Sequence, residues 1–362
     1  RLASQVAEEV RSHFGKEVLR TSIPRSVRIS EAPSYGQPVL TYDPGSSGAL
    51  PYFEAAREIA MRGVVIHSEA HQNQPAAPRR PRPRRGRRGH TRTMPPPPRP
   101  VGTATRGTTN PNRLRRMDRW ITATHGAALR RADHPLAVDL GYGHAPWTAV
   151  ELLARLRTAA PGTRVTGIEI DPDRVAAAQP HAREGLTFVR GGFEVPAPDR
   201  PHLIRAANVL RQYDEDEVRA VWERLTARLA RPDPDGLGGG LLVEGTCDEI
   251  GRRHVWVALG PEGPRTVTFA TRLGSLDRPS DLAERLPKAL IHRNVPGEPV
   301  HAFLRDFDRA WAAAAPYASY GARQRWQRAV RELAADWPVV DGPARWRQGE
   351  VTVAWGALAP RG

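Results

Sequence analysis

Two glycines and two acids at fixed spacing carry the chemistry of this chain. Asp139, Gly141 and Gly143 stand two residues apart in Val138-Asp139-Leu140-Gly141-Tyr142-Gly143, and Glu169 ends a second apolar run, Arg164-Val165-Thr166-Gly167-Ile168-Glu169-Ile170, with Asp171 beyond it. Glycines directly after a buried strand let backbone approach a ligand closely, and a helix starting behind them offers free N–H groups to negative charge. An acid at the end of the next strand is placed to accept both hydroxyls of a ribose. The pattern predicts a nucleoside-bearing cofactor at the carboxyl ends of the strands. The sixth position of Gly141-Tyr142-Gly143-His144-Ala145-Pro146 is proline where a dinucleotide turn has glycine, which counts against NAD.

The elements that must position these residues follow from periodicity. An apolar strand at 136–140 is short enough to be buried on both faces of a parallel sheet. A helix over 148–160 with Val150, Leu152, Leu153 and Leu156 on one face is stopped by Pro161-Gly162. A leading helix is expected over 113–132, further strands at 186–190, 203–207 and 240–246, and a hairpin of 254–259 with 265–271 around Pro261-Glu262-Gly263. Helical stretches near 281–290, 300–315 and 323–336 and a last strand at 350–358 complete an α/β pattern with helices on both faces of the sheet.

The motif Asp139-x-Gly141-x-Gly143, followed by a helix and by Val165-Thr166-Gly167-Ile168-Glu169-Ile170-Asp171, resembles motifs I and II of class I S-adenosylmethionine-dependent methyltransferases, with Ala145 in place of the usual third glycine. The resemblance covers about 112–362 and implies a Rossmann-like sheet, S-adenosyl-L-methionine as cofactor and methyl transfer to an acceptor that the sequence does not identify. It implies that Asp139 faces the methionine end of the cofactor and that Glu169, at a strand end near solvent, holds the ribose. Gly141, Gly143 and Asn208 join these as cofactor-binding candidates, and Phe193 either stacks on the adenine or belongs to the core. Arg211, Gln212 and Tyr213, after the fourth strand, are candidate substrate contacts, as are Arg293 and Asn294 in the polar loop 291–299, which is either a clamp or an ordinary surface loop. Glu244, Asp248 and His292 are the candidates for a general base if the acceptor carries a proton. The layout departs from the commonest one of that family after the fifth strand. No metal-ligand spacing is present, so no metal is expected.

Residues 1–63 have a different texture. A helix is expected over 2–14, a strand over 17–23 and a helix over 47–61, and the run from Ile23-Pro24-Arg25-Ser26-Val27-Arg28-Ile29 through Tyr42-Asp43-Pro44-Gly45 closely resembles the C-terminal end of ParA-type chromosome-partition ATPases. That family's phosphate loop and magnesium-holding aspartate have no counterpart here, and no G-K-[ST] occurs, so nucleotide hydrolysis is not expected from this helix–strand–helix remnant. The chain begins at Arg1, as a fragment or a truncated reading frame would.

Between these blocks, 64–111 reads as a disordered Arg/Pro-rich linker with nothing to bury. From Ala70 to Met117 there are 13 arginines and no acid, which accounts for most of the formal net charge of +15. This stretch is open to three readings: a solvated linker, translated intergenic sequence, or an arm (79–116) that binds DNA weakly and non-specifically through phosphates. The last gives an alternative function, a chromosome-partition-related, DNA-associated protein without ATPase activity. Only Lys16 and Lys288 are lysine, which with abundant Ala, Gly and Pro suggests GC-rich coding of the actinobacterial kind. One cysteine, Cys247, excludes an internal disulfide and suits the cytoplasm, and no run is long and apolar enough to span a membrane.

Overall fold

The computed structural model describes residues 100–361 apart from 106–108, 233–234 and 236–237, together with residues 12, 18–19, 21, 23, 39–42, 49–52 and 54–59. The chain divides into two compact units, 1–93 and 94–362.

In the first unit, Val39 opens a short helix, Val39–Tyr42, and is buried with Ala49 against Leu40 and Tyr52. Thr21 donates its N–H and hydroxyl to Glu58 at 3.1 and 3.0 Å. The described residues within 17–23 are not in a strand, and residues 50–52 and 54–59 are helical within the expected 47–61. The expected helix over 2–14 and the linker over 64–99 lie almost wholly outside the described residues.

The second unit is built on an eight-stranded sheet. In chain order its elements are α1 (Arg115–Arg131), β1 (Leu136–Leu140), α2 (Trp147–Arg157), β2 (Arg164–Glu169), α3 (Pro172–Ala178), β3 (Leu186–Arg190), β4 (Leu203–Ala207), α4 (Glu215–Thr226) and β5 (Leu241–Cys247). Then come β6 (Arg253–Gly260), β7 (Gly263–Thr271), α5 (Pro299–Ala313), α6 (Ala322–Asp336) and β8 (Glu350–Ala354). The strand order is β3-β2-β1-β4-β5-β6-β7-β8. Strands β1 to β5 pair in parallel, whereas β6, β7 and β8 continue the sheet as an antiparallel meander. The doubly wound α/β layout expected from the sequence is thus present, and the meander is the departure after β5. The expected helix near 281–290 is instead a 3-10 segment, Pro279–Arg285, and one short turn, Lys288–Ile291, because Pro287 interrupts it.

Alternation along the strands sorts side chains between two cores. Ala137, Val165, Leu203, Leu241 and Val243 face α1 and α2 through Met117, Ile121, Leu129, Leu152 and Leu156. Val138, Leu140, Ile204, Ala206 and Leu242 face the other layer, where α4, α5 and α6 contribute Trp222, Leu225, Phe303, Phe307, Trp326 and Val330. All five residues of β1 are buried, which makes it a central strand.

The folded block begins earlier than the boundary expected at 112. Val101 donates its N–H to Glu194 (2.8 Å), Thr103 donates to the Tyr213 hydroxyl (2.6 Å), Thr109 to the Tyr142 carbonyl (2.9 Å) and Asn110 to the Glu249 carbonyl (3.0 Å). Residues 100–105 and 109–111 are therefore docked on the domain, where linker was expected. Such a Gly/Thr-rich segment binds through its backbone and short polar side chains and needs no apolar pattern to do so.

Candidate active site

The strand order reverses at β1, whose neighbours β2 and β4 leave from opposite sides. Such a switch point opens a crevice at the carboxyl ends of the strands. A cavity of about 360 Å³ lies there, lined by Asp139, Gly141 and Gly143 after β1, Asn208 after β4, Cys247 at the end of β5, and Arg113, Arg211 and Arg285 from segments around it.

Its floor is an ion network set by register. Asp139 pairs with Arg205 across β1 and β4, so their side chains leave the sheet on the same face. Arg205 donates Nε to Asp139 Oδ1 (3.1 Å) and Nη2 to Oδ2 (2.8 Å), and it also donates Nη1 to Asp118 of α1. Thr148 donates its hydroxyl to Asp139 Oδ2 at 2.7 Å, and Arg155 of α2 pairs with Asp118 at 2.5 Å. Burial would depress the Arg205 guanidinium, but the two carboxylates outweigh it and raise it. Asp139 therefore lines the cavity with its charge already neutralised. It anchors α1 and α2 to the sheet under the site.

The glycine turn takes the conformation its residues were read for. Gly141 (φ +68°) and Gly143 (φ +85°) are both left-handed, and a Cβ on Gly141 would sit 2.9 Å from Val209 Cγ2. Glu169 braces this turn. It accepts the N–H of Gly143 at Oε2 and that of Ile170 at Oε1, both at 2.9 Å. Only 2 % of Glu169 is exposed, which corrects the expectation of a carboxylate near solvent. Oε1 also accepts the Asp171 N–H at 3.4 Å, and Arg174 Nη1 lies 3.6 Å from Oε2, so of the about four acceptor positions of an ionised carboxylate one remains, on Oε2, for a hydroxyl. Asp171 turns away and caps α3, accepting the N–H groups of Asp173 (2.9 Å) and Arg174 (3.3 Å).

The other cofactor and substrate candidates fall into two groups. Asn208 (φ +60°) is locked to Cys247, accepting its N–H at 3.0 Å and donating to its sulfur at 3.1 Å, and Arg113 Nε also reaches that sulfur at 3.2 Å. Burial pushes the Cys247 thiol up, with Arg113 and Asn208 opposing, so it stays protonated near neutrality. Arg211 and Gln212 line the main cavity. Phe193 and Tyr213 lie beside each other, ring centroids 5.2 Å apart, in a neighbouring groove with Glu169, Gly191 and Gly192. That groove retains only about 20 Å³, because Val101, Gly102, Thr103 and Thr105 run through it.

Five sequence candidates are not brought to this site. Glu244 is fully buried in β5 on the α4 side, with neither oxygen within hydrogen-bond distance of a partner. Burial pushes its carboxyl up to about 8, and the Trp222 indole N–H works weakly against this. Asp248 spends both oxygens on the turn after β5, accepting the N–H groups of Arg252 (2.8 Å) and Arg253 (3.2 Å). Arg293 pairs with Glu215 (2.6 Å) and Asn294 approaches His301 (3.3 Å), so both build the 291–299 loop. His292 is exposed in that loop and does not line the cavity. Conversely, Arg113 and Arg285 line it without having been singled out. Arg113 was readable as the start of the leading helix, but Arg285 belongs to a 3-10 segment with no sequence signal.

No family model matches the chain. The sporulation initiation inhibitor protein Soj of Bacillus subtilis (strain 168) is 52% identical over 62 residues, which are 17% of this chain and 24% of that protein. The chromosome partitioning protein ParA of Caulobacter vibrioides is 52% identical over 61 residues, 17% of this chain and 23% of that protein. The chain thus spans about a quarter of the length of the curated relatives it matches, and it carries a segment similar to chromosome-partition ATPases. Among solved structures, human N-acetylserotonin methyltransferase in complex with SAM aligns at 27% identity over 36% of this chain and 37% of that one, with a TM-score of 0.24. An O-methyltransferase from neocarzinostatin biosynthesis, in complex with S-adenosylmethionine and 2-hydroxy-5-methyl naphthoic acid, aligns at 20% identity over 36% and 38%, also with a TM-score of 0.24. The fold stands on the strand order and registers given above. Among the described residues no helix is long and apolar enough to cross a membrane.

Proposed function

We propose that the second unit binds S-adenosyl-L-methionine and transfers its methyl group to an acceptor. The observation that carries this reading is the junction of three features at the switch point: a left-handed glycine turn after β1, a buried acid after β2 with an acceptor position free on Oε2, and a cavity of about 360 Å³ beside them. These residues fit the two ends of the cofactor. Glu169 holds a ribose hydroxyl, Gly191, Gly192 and Phe193 flank the adenine, and the cavity beside Gly141 and Gly143 takes the methionine end. When bound, the sulfonium supplies a methyl carbon already activated for displacement. The protein's share is then positioning and exclusion of water, for which the locked Asn208–Cys247 pair and the Asp139–Arg205 floor provide a rigid frame.

Calorimetric titration of the full chain with S-adenosylhomocysteine tests this, and an absence of binding at millimolar ligand would remove it. Glu169→Ala is expected to weaken binding by about 1.5–3 kcal/mol, roughly 10- to 150-fold, through the lost charge-assisted hydrogen bond. An unchanged affinity would confine Glu169 to bracing the turn.

A second reading concerns the partition-like segment, favoured by its identity to Soj and ParA proteins. With the arginine run at 79–116 it would hold the chain on DNA without base specificity. Mobility-shift titrations should then show duplex binding that falls steeply with salt and is lost on deleting 64–99. Salt-insensitive binding would count against it.

A further inference from the structure

We infer that the cavity takes an acceptor that is already anionic at its nucleophilic oxygen, a carboxylate. This rests on the methyl-transfer reading above and names its substrate class. Three guanidinium groups, Arg113, Arg211 and Arg285, line the cavity. Arg211 makes no hydrogen bond or ion pair to a described residue, and Arg285 Nε is buried without a partner. Burial and then the neighbouring Arg285 lower the Arg211 pKa, as expected of cations gathered around one space. Of the two acids lining the cavity, Asp139 is neutralised by Arg205, and Glu249 is exposed, which leaves an excess of positive charge. Among the described residues Glu249 is the one lining carboxylate without a charge partner, and it is exposed. Glu244 is in the core, Asp248 is held by its turn, and Cys247 stays protonated.

Such a cationic chamber favours an acceptor that arrives already anionic, and a carboxylate needs no deprotonation. Its oxygen lone pair forms the bond to the methyl carbon while the carbon–sulfur pair returns to sulfur, leaving an ester and a neutral thioether. No proton is moved.

The test holds S-adenosylhomocysteine at saturation on the full chain and titrates benzoate against its neutral isostere benzamide, read by calorimetry. Benzoate should bind at least 10-fold more tightly than benzamide. Arg211→Gln should reduce benzoate affinity about 10-fold and leave S-adenosylhomocysteine affinity unchanged. Equal binding of the two probes would overturn the inference. So would a fall in S-adenosylhomocysteine affinity in Arg211→Gln, because the cation would then serve the cofactor's own carboxylate. Failure of S-adenosylhomocysteine to bind the wild type is a separate result, and it removes the methyl-transfer reading itself.

A different observation points to residues 100–105 as an internal occupant of the nucleoside groove. Val101 pairs with the turn after β3 at both of its backbone groups, donating to Glu194 (2.8 Å) and accepting from the Phe193 N–H (2.9 Å). A Cβ on Gly192 would lie 1.9 Å from the Val101 carbonyl oxygen, so the strap lies directly against the turn. Thr103 accepts from Gln212 (2.9 Å) and donates to the Tyr213 hydroxyl (2.6 Å). The roughly 20 Å³ left beside Glu169 is room for about one water, far less than a nucleoside needs, so a nucleoside enters only when the strap leaves.

The strap therefore competes with the cofactor. Gly102 (φ +120°) has room for no side chain, since a Cβ there would meet the Tyr213 hydroxyl at 2.9 Å and the Phe193 ring at 3.3 Å. Gly102→Val in the full chain should expel the strap and tighten S-adenosylhomocysteine binding at least 10-fold. In the wild type, hydrogen exchange should show the Val101 and Thr103 amides losing protection when S-adenosylhomocysteine is added. Unchanged or weaker binding by Gly102→Val, or protection kept or increased by the ligand, would show a lid that closes over the cofactor and would overturn the competition.

Discussion

Arg205 is wholly buried between Asp118 and Asp139, and its three partners come from α1, β1 and the start of α2. Replacing it by an apolar side chain leaves Asp139 buried without a counter-charge and Asp118 with Arg155 alone. Arg205→Met is therefore expected to cost about 3–5 kcal/mol in urea unfolding. A loss under 1 kcal/mol would mean that water reaches these acids. Glu244 makes a contrasting case, since its folded carboxyl sits near 8 against 4.5 for the free side chain. Between those values the folded protein keeps a proton that the unfolded chain gives up. Stability is thus full below the lower value and falls, by up to about 1.4 kcal/mol per pH unit, as pH rises toward 8. Glu244→Gln does not titrate, so its melting temperature should match the wild type at pH 5 and exceed it at pH 8. Parallel curves for the two proteins would show a partner or water at the carboxylate.

At the scale of elements, local order decides what a sequence reveals. The β1, turn, α2, β2 unit was legible because all its signals lie within about 35 residues: a buried run, two glycines, a helical stripe, and an acid at the strand end. The roles of Asp139 and Glu244 were not legible. Asp139 gains its partner only from the register of β1 on β4, and β5 is buried on both faces, so alternation does not say which layer Glu244 enters. The strap escaped notice because glycine, threonine and proline are also what a linker is made of. Asp171, two residues past Glu169, caps α3 instead of facing the site. Asp171→Ala should cost about 1 kcal/mol of stability and leave S-adenosylhomocysteine affinity unchanged. A loss of affinity equal to that in Glu169→Ala would contradict the separate duties of these two acids.

For the whole molecule, the docking of residues 100–105 and 109–111 moves the edge of the folded block. Trypsin does not cut efficiently before proline, so Arg99-Pro100 is a poor site, and limited digestion should leave a domain fragment that begins at Thr93 and retains Val101. A fragment that begins at Leu114 would show that the strap is released in solution. The ion network under the cavity also bears on how the chain is made. Asp118 precedes Arg205 by 87 residues, and at roughly 5–20 residues per second that is about 4–17 s of synthesis. During that interval α1, β1 and α2 have been made with Arg155 to pair with Asp118 but with nothing to neutralise Asp139, and the growing chain must keep this face hydrated. The arrival of β4 therefore starts the clock for assembly of the entire amino-terminal half of the sheet.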